Sequence, residues 1–293
     1  MPNKKILITG GAGFVGTNLI KFFLKKTNYK IISIDNYSSG NKKNHVKNSR
    51  VKYLKGETVN IYKLIKRPKE IKTIFHFGEF ARIYQSFLKM NECISSNSIG
   101  SNAIFNFCLK NKIKLIYSAT SATLGNKGDD KNLSPYAFSK AKNLELLENL
   151  KKWFNFKYEV IYFYNVYGPH QICKGQMSTV IGIFEDHYKR KKPLPVVKPG
   201  SQTRRFTHID DTIQVCYLAW KKNLSRHYSV TNKKSYSILE VAKMFKSKLK
   251  FLPKRAGERY ASALIKKNLS NKVYQNYGKI NLKDYIYNFI NNN

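Results

Sequence analysis

The chain has 293 residues, of which 42% are hydrophobic, and it carries a formal net charge of +37. The hydrophobic content is sufficient for the packed core of one large or two modest domains, and it excludes a disordered chain. The sequence contains no run of 18 apolar residues, which excludes a transmembrane helix, and its start lacks the pattern of a signal peptide. We therefore expect a cytoplasmic protein that does not associate with membranes.

The high positive charge has two interpretations. Lysines are scattered over the whole chain without a basic tail, which favours a compositional bias over a nucleic-acid site. A nucleic-acid-binding protein is the alternative from another functional class. The four cysteines have neither metal-ligand nor CxxC spacing, so we expect reduced thiols and no metal site.

Strands and helices are predicted to alternate along the first half of the chain. The apolar patterns predict strands at 5–9, 30–35, 51–54, 72–77, 113–118 and 158–164, and helices at 14–25, 97–109 and 136–153. Such alternation is typical of a parallel sheet with helices on both faces. Beyond residue 165 the pattern is less regular, with helices predicted at 178–189 and 211–220 and a short strand at 193–197.

A glycine-rich turn follows the first predicted strand and opens the first predicted helix. It reads Gly10-Gly11-Ala12-Gly13-Phe14-Val15-Gly16, and we predict that Gly10, Gly13, Phe14, Val15 and Gly16 contact a dinucleotide. Glycines permit a tight turn, so that backbone N–H groups at the helix N-terminus can approach a pyrophosphate. The sequence therefore predicts a dinucleotide site at this turn.

The end of the second predicted strand indicates which dinucleotide is bound. Asp35 lies there, and its carboxylate can accept hydrogen bonds from the adenosine ribose hydroxyls while repelling a 2′-phosphate. The following residues, beginning with Asn36, include no arginine that could bind such a phosphate. NAD is therefore the expected cofactor. We predict an α/β fold, with a Rossmann-type doubly wound parallel sheet in residues 1–168 that a later segment at about 205–232 rejoins. Residues 169–293 are predicted to form mainly a smaller C-terminal, substrate-binding lobe.

Tyr136 and Lys140 are four residues apart on a predicted helix and therefore share one face. A phenol is a weak base at neutral pH, but a nearby ammonium stabilises its phenolate. Tyr136 can then take a proton from an alcohol while nicotinamide accepts hydride, and Lys140 can also hold the nicotinamide ribose. The pair alone occurs often by chance, but here it follows a predicted strand and the polar turn Ser118-Ala119-Thr120-Ser121.

Together these motifs resemble the extended short-chain dehydrogenase/reductases of the NAD-dependent epimerase/dehydratase family, and UDP-glucose 4-epimerase-like members most of all. The resemblance spans nearly the whole chain. Its further marks are His76-Phe77-Gly78, Asn97, the segment Tyr164-Asn165-Val166-Tyr167-Gly168-Pro169, and the segment from Gln202 to Asp211.

The resemblance implies roles for further residues. Thr120 would place a hydroxyl beside Tyr136, and Gly78 and Asn97 would line the cofactor. Asn165 would meet the diphosphate of a nucleotide sugar, and Arg204 and Arg255 would clamp it, since guanidinium groups pair well with phosphate oxygens. The resemblance also implies a homodimer formed through the helices near 97–110 and 136–153.

The residues after Thr120 bear on the type of reaction. Sugar dehydratases of the family carry an Asp-Glu pair there, whereas this chain has Ser121-Ala122. Dehydration is therefore disfavoured, and we predict a nucleotide-sugar 4-epimerase that oxidises C4 transiently. A nucleotide-sugar 4-dehydrogenase or 4-ketoreductase without epimerisation needs the same residues and is the alternative.

The segment after His76 departs from the usual family pattern. It places Glu79 and Arg82 near the expected sugar pocket, and we predict both to be substrate-binding. Glu79 could bind a sugar hydroxyl or act as a second acid or base, or it could pair with Arg82 in a structural role.

Overall fold

The protein is described from a computed structural model that covers residues 4–124, 130–257 and 273–293. Its strands, in chain order, are β1 (Lys5–Thr9), β2 (Lys30–Asp35), β3 (Val51–Lys55), β4 (Ile71–His76), β5 (Lys114–Thr120), β6 (Tyr158–Phe163), β7 (Val166–Tyr167), β8 (Leu194–Val197), β9 (Thr203–Arg205), β10 (Thr207–His208), β11 (His227–Thr231), β12 (Ser235–Ser237), β13 (Leu249–Leu252) and β14 (Val273–Tyr277).

The helices, in the same order, are α1 (Phe14–Lys26), α2 (Ile61–Leu64), α3 (Ile83–Leu88), α4 (Met90–Ile94), α5 (Ser101–Lys110), α6 (Pro135–Phe154), α7 (Val180–Lys189), α8 (Ile209–Lys222), α9 (Ile238–Met244) and α10 (Leu282–Asn291). A π-helical segment, Ser95–Gly100, joins α4 to α5, so the helix predicted at 97–109 begins earlier than the apolar pattern indicates. Within the described ranges, no helix is long and apolar enough to cross a membrane.

Eight strands form one central sheet in the order β14-β11-β6-β5-β4-β1-β2-β3. Neighbouring strands pair in parallel throughout, which confirms the predicted Rossmann-type fold. The order reverses between β1 and β4, and ligands of such sheets bind at the carboxyl ends of the strands beside that reversal. The division of the chain into a cofactor-binding and a substrate-binding part remains a prediction. That prediction did not include β14 among the strands of the central sheet.

Side chains of the central strands alternate between two hydrophobic cores. Leu7 packs into the core under α5 and α6, whereas Ile6 and Ile8 pack into the core under α1 and α8. All three are fully buried, because helices cover both faces of a parallel sheet. A separate cluster that includes Phe184, Val196, Phe206 and Phe245 forms the core of the second lobe.

Local sequence determines where α6 begins, and this positions the predicted catalytic residues. The Ser134 side chain caps the helix by accepting a hydrogen bond from Ala137 N, and Pro135 occupies the first turn. The helix ends at Asn155, which has a left-handed conformation with φ of 51°. Tyr136 therefore lies in the first turn of α6.

Candidate active site

A cavity of about 530 Å³ opens at the carboxyl ends of the sheet strands. The glycine-rich turn and Asp35 line one end of it, Thr120, Tyr136 and Lys140 line the middle, and Asn165, Arg204 and Arg255 line the part that faces the second lobe. Most of the residues predicted from sequence thus border one continuous space. Its volume is in the range of small-molecule and cofactor sites.

The glycine-rich turn is held against the segment after β4 at distances that leave no space for side chains. Gly10 has φ of +72°, and a Cβ there would lie 2.9 Å from Gly78 N. A Cβ on Gly16 would lie 2.2 Å from Gly10 O. Gly13 directly precedes α1, and within the described part of the chain no side chain caps this helix end. Backbone N–H groups at the start of α1 are therefore available to an anion.

Asp35 is fixed next to this turn. One carboxylate oxygen accepts from Ala12 N at 2.9 Å and the other from Tyr37 N at 2.8 Å. Burial raises the pKa of Asp35, and the two backbone N–H groups act in the opposite direction. An ionised Asp35 keeps lone pairs for ribose hydroxyls, because each carboxylate oxygen can accept more than one hydrogen bond.

Sequence reasoning missed several residues at this end of the cavity, among them Glu57 and Thr58. Glu57 and Thr58 follow β3 and border the cavity beside Asp35 and Asn36. The Asn36 amide donates to both oxygens of Glu57 at 3.2 Å. The available signal was that β3 runs parallel to β2, so that residues after both strands meet at one sheet edge.

Tyr136 and Thr120 meet the cavity from different elements. Tyr136 is 9% exposed and Thr120, the last residue of β5, is 8% exposed. Ser86 Oγ in α3 accepts a hydrogen bond from Tyr136 N at 3.2 Å, which ties the start of α6 to the opposite wall. The Thr120 hydroxyl accepts from Ala122 N at 3.1 Å and retains its own proton for donation.

Lys140 lies one turn after Tyr136 and is paired with Glu79. Its ammonium donates to Ser118 O at 2.5 Å and to Glu79 Oε2, with side chains only 3% and 2% exposed. Burial lowers the pKa of Lys140, while the charge and hydrogen bond of Glu79 oppose that change. One interpretation of the sequence was that Glu79 pairs with Arg82 in a structural role. In the structure the Glu79 carboxylate pairs with Lys140 instead, so this interpretation named the wrong partner.

Arg82 also borders the cavity, but backbone carbonyls hold its guanidinium. It donates to Ala81 O at 2.7 Å and to Met177 O at 2.5 Å. Asn97 does not border the cavity at all. It is fully buried, and its amide accepts from Phe80 N at 2.7 Å and donates to Phe80 O at 3.0 Å. Asn97 therefore supports the cavity wall from behind, which disagrees with the predicted contact to the cofactor.

The end of the cavity near the second lobe is positively charged. Arg204 is 9% exposed and donates to Thr203 O at 2.8 Å. The Arg255 guanidinium lies over the Tyr84 ring, 5.3 Å from its centroid. The Asn165 amide donates to Arg205 O at 3.0 Å. These side chains form a polar, cationic wall that suits a diphosphate.

Comparison with known proteins agrees with this geometry. The sequence profile of the NAD dependent epimerase/dehydratase family matches residues 6–232. The chain belongs to this family. One relative in sequence is the ADP-L-glycero-D-manno-heptose-6-epimerase of Brachyspira hyodysenteriae, which is 29% identical over 259 residues, or 82% of this chain and 80% of that protein.

A second relative is a putative UDP-glucose 4-epimerase of Methanocaldococcus jannaschii, 25% identical over 93% of this chain and 88% of its own length. Among solved structures, the UDP-glucose 4-epimerase of Thermotoga maritima with UDP-glucose has a TM-score of 0.84 and 22% identity, and the match covers 98% of this chain and 97% of that one. At this identity the likeness shows a shared fold.

NAD is the cofactor of the epimerase/dehydratase family, and the residues at the glycine-rich turn fit it. The close approach at Gly10 and Gly16 leaves a cradle that side chains would fill, and the start of α1 provides N–H donors for phosphate. Asp35 is an acceptor suited to the ribose, and Lys140 borders the middle of the same cavity. Among the described residues, no group of three side chains that could hold a metal ion was found.

Proposed function

We propose that this chain is a nucleotide-sugar 4-epimerase that works with bound NAD. The observation that carries the proposal is the cavity itself, which joins the glycine-rich turn, the Tyr136 and Lys140 pair, and the arginines of the second lobe in one space. A dinucleotide at the turn and a nucleotide sugar along the arginines would meet at Tyr136.

In this proposal each side chain has a distinct task. NAD, when bound, supplies reversible hydride acceptance at the sugar carbon. The Tyr136 phenolate takes the proton of the sugar hydroxyl and later returns it, and the Lys140 ammonium stabilises that phenolate. The Thr120 hydroxyl donates to the reacting oxygen. Arg204, Arg255 and Asn165 hold the diphosphate, while the sugar turns to present its other face.

The turn after Thr120 supports a reaction without loss of water. Ser121 and Ala122 occupy the positions where the family's dehydratases carry their Asp-Glu pair, and they are 5% and 1% exposed. Glu79 cannot substitute for these carboxylates, because its oxygens are engaged by Lys140 and neighbouring hydroxyls. No acid is therefore positioned by this turn to assist dehydration.

The test supplies catalytic amounts of NAD with a panel of UDP-, GDP-, dTDP- and ADP-linked sugars and follows the products by NMR. A stereoisomer inverted at C4 without net NADH supports the proposal. Stoichiometric NADH would identify a dehydrogenase, inversion at another carbon would identify a different epimerase, and a dehydrated product would identify a dehydratase. Each of these three outcomes overturns the proposal.

Tyr136→Phe is the decisive variant for the assigned base. It should lower turnover by about 10³-fold, the size of a lost general base, while NAD remains bound. Tyr62→Phe is a matched control, because Tyr62 is 44% exposed and does not line the cavity. Activity that survived in Tyr136→Phe would show that another group takes the proton.

We also propose that the chain forms a homodimer through α4, α5 and α6. Apolar side chains on and beside these helices are exposed, including Met90 at 54%, Ile99 at 55%, Phe138 at 45% and Trp153 at 62%. An exposed apolar surface on a globular protein commonly marks an interface. Sedimentation analysis of the protein and of Phe138→Glu would test this, and a wild-type monomer would refute it.

A further inference from the structure

The Glu79 carboxylate is buried at a place where an unpaired charge would be costly. It follows the short turn after β4, where Glu79 N donates to Phe77 O at 2.9 Å, and its side chain is 2% exposed. A buried carboxylate persists in ionised form only when charge and hydrogen bonds compensate for its lost hydration. Lys140 supplies the charge and is itself 3% exposed.

Side chains from three other elements hold this carboxylate. Its Oε1 accepts from Ser101 of α5 at 2.9 Å, from Tyr117 of β5 at 3.0 Å and from Asn143 of α6 at 3.4 Å. Its Oε2 accepts from Lys140. Since donors approach from several directions, the carboxylate cannot rotate away, and the ammonium of Lys140 is fixed with it.

A line of hydrogen bonds behind Ser101 reinforces this arrangement. The Thr9 hydroxyl lies 2.7 Å from His76 Nδ1, and His76 Nε2 lies 2.9 Å from Ser101 Oγ. Thr9 Oγ1 already accepts from Phe77 N and Gly78 N, so its proton points to His76. Neutral His76 then donates to Ser101, which donates to Glu79. This order makes Glu79 the terminal acceptor of a chain that starts beside the glycine-rich turn.

Among the described residues, three other ionisable groups interact with Lys140 in the resting protein and do not neutralise it. They are Tyr117 from β5, Cys93 from α4 and His76 from β4. Tyr136, one turn earlier on α6, is the group whose phenolate the cation stabilises in the proposed reaction. Burial raises the pKa of Tyr117 well above its usual value and that of Cys93 to about 11, and it lowers the pKa of His76 to about 4. These three groups are therefore uncharged at neutral pH, and the counter-charge comes from Glu79.

From this geometry we propose that Glu79 is a positioning residue that keeps Lys140 ionised and fixed in its buried site. It acts on the reaction through Lys140; it borders the cavity, but its side chain is only 2% exposed and its oxygens are engaged by protein donors. The inference rests on the proposed function only for its effect on turnover, because the pairing itself can be tested in the resting protein. It replaces the substrate-binding role predicted for Glu79 from sequence.

The first experiment is a double-substitution cycle followed by thermal unfolding of the full chain with NAD absent. Glu79→Gln leaves the Lys140 cation without a counter-charge and should lower the melting midpoint by about 5–10 °C. Adding Lys140→Met removes the cation as well and should restore at least half of that loss. If the two substitutions lowered the melting midpoint additively, the proposal would be overturned. If Glu79→Gln alone failed to fold, the proposal would be overturned when the added Lys140→Met did not restore folding.

The second experiment uses NAD binding, which needs no sugar substrate. Burial lowers the pKa of Lys140 and Glu79 opposes that change, so the wild-type affinity should hold to a higher pH than the affinity of Glu79→Gln. As the pH rises, Glu79→Gln should lose at least tenfold in affinity at a pH where the wild type is unchanged, because its Lys140 loses the proton first. Identical pH curves for the two proteins would overturn the role assigned to Glu79. Failure of the sugar assay alone would refute the proposed function and leave both of these results standing.

Discussion

Gly16→Ala is the substitution that most directly tests the geometry of the cofactor turn. Gly16 lies within α1, where alanine is ordinarily the better helix former by about 1 kcal/mol. Here the new Cβ would lie 2.2 Å from Gly10 O and 2.7 Å from Gly11 Cα. Both are backbone atoms, so no side chain can rotate to make room, and the turn itself must move.

The size of the effect follows from these distances. Gly10 O must retreat by roughly 1 Å to reach ordinary van der Waals contact. Overpacking of this kind costs about 1–3 kcal/mol and should lower the melting midpoint by about 2–6 °C. The N–H groups of the displaced turn would no longer point at the pyrophosphate. Because a charge-assisted hydrogen bond contributes about 1.5–3 kcal/mol, its loss should lower NAD affinity about 100-fold.

Calorimetric titration with NAD and thermal unfolding measure the two effects separately. Gly182→Ala is a matched control, because Gly182 is also a helical glycine whose Cβ would meet a backbone oxygen, Ile172 O at 2.6 Å, but it lies in α7. The control should lose similar stability and keep its NAD affinity within about twofold. Wild-type affinity in Gly16→Ala, or an equal loss in Gly182→Ala, would refute the assignment of this turn to NAD.

Two further predictions concern the cofactor and the core. Burial raises the pKa of Asp35. On acidification, NAD affinity should therefore begin to fall at a higher pH than it would if Asp35 had the pKa of an ordinary aspartate. The reason is that a protonated carboxyl oxygen no longer accepts a hydrogen bond from the ribose. Asp35→Asn should bind weakly at every pH in the same calorimetric titrations, and parallel curves for both proteins would contradict this. Phe23→Ala removes a fully buried ring whose centroid lies 5.3 Å from that of Phe75 and 5.1 Å from that of Trp220. The free energy of unfolding in urea should fall by about 3–5 kcal/mol. The control is Phe154→Ala, because Phe154 is 58% exposed, and its loss should be less than about 1 kcal/mol. Equal losses in the two variants would show that Phe23 is not part of a tightly packed core.

The sequence predicts best those features whose determinants lie close together along the chain. Helix α1 was predicted at 14–25 and extends over Phe14–Lys26, and α6 was predicted at 136–153 and extends over Pro135–Phe154. In both cases a turn residue or cap directly precedes the helix. Because parallel strands end at one edge of a sheet, these local patterns were also enough to bring Tyr136 and the glycine-rich turn into one cavity.

Features that depend on distant residues or on irregular backbone could not be predicted in this way. Lys140 and Glu79 are 61 positions apart, and no periodic pattern relates them. Asn97 lies in a π-helical segment, whose wider turn shifts side chains away from the directions that an α-helical period predicts. Strand β14 has a polar sequence, and only its pairing with β11 makes it part of the sheet.

The order of strands in the sheet has a consequence for how the protein is made. Six adjacent strands, β1 to β6, come from the first 163 residues, but β11, the partner of β6, is complete only at Thr231. While the chain emerges from the ribosome, β6 is therefore an open edge with unpaired backbone groups and apolar side chains, a surface prone to association with other chains. Conditions that slow synthesis between β6 and β11 should increase aggregation of the nascent protein, even though the finished fold protects that edge.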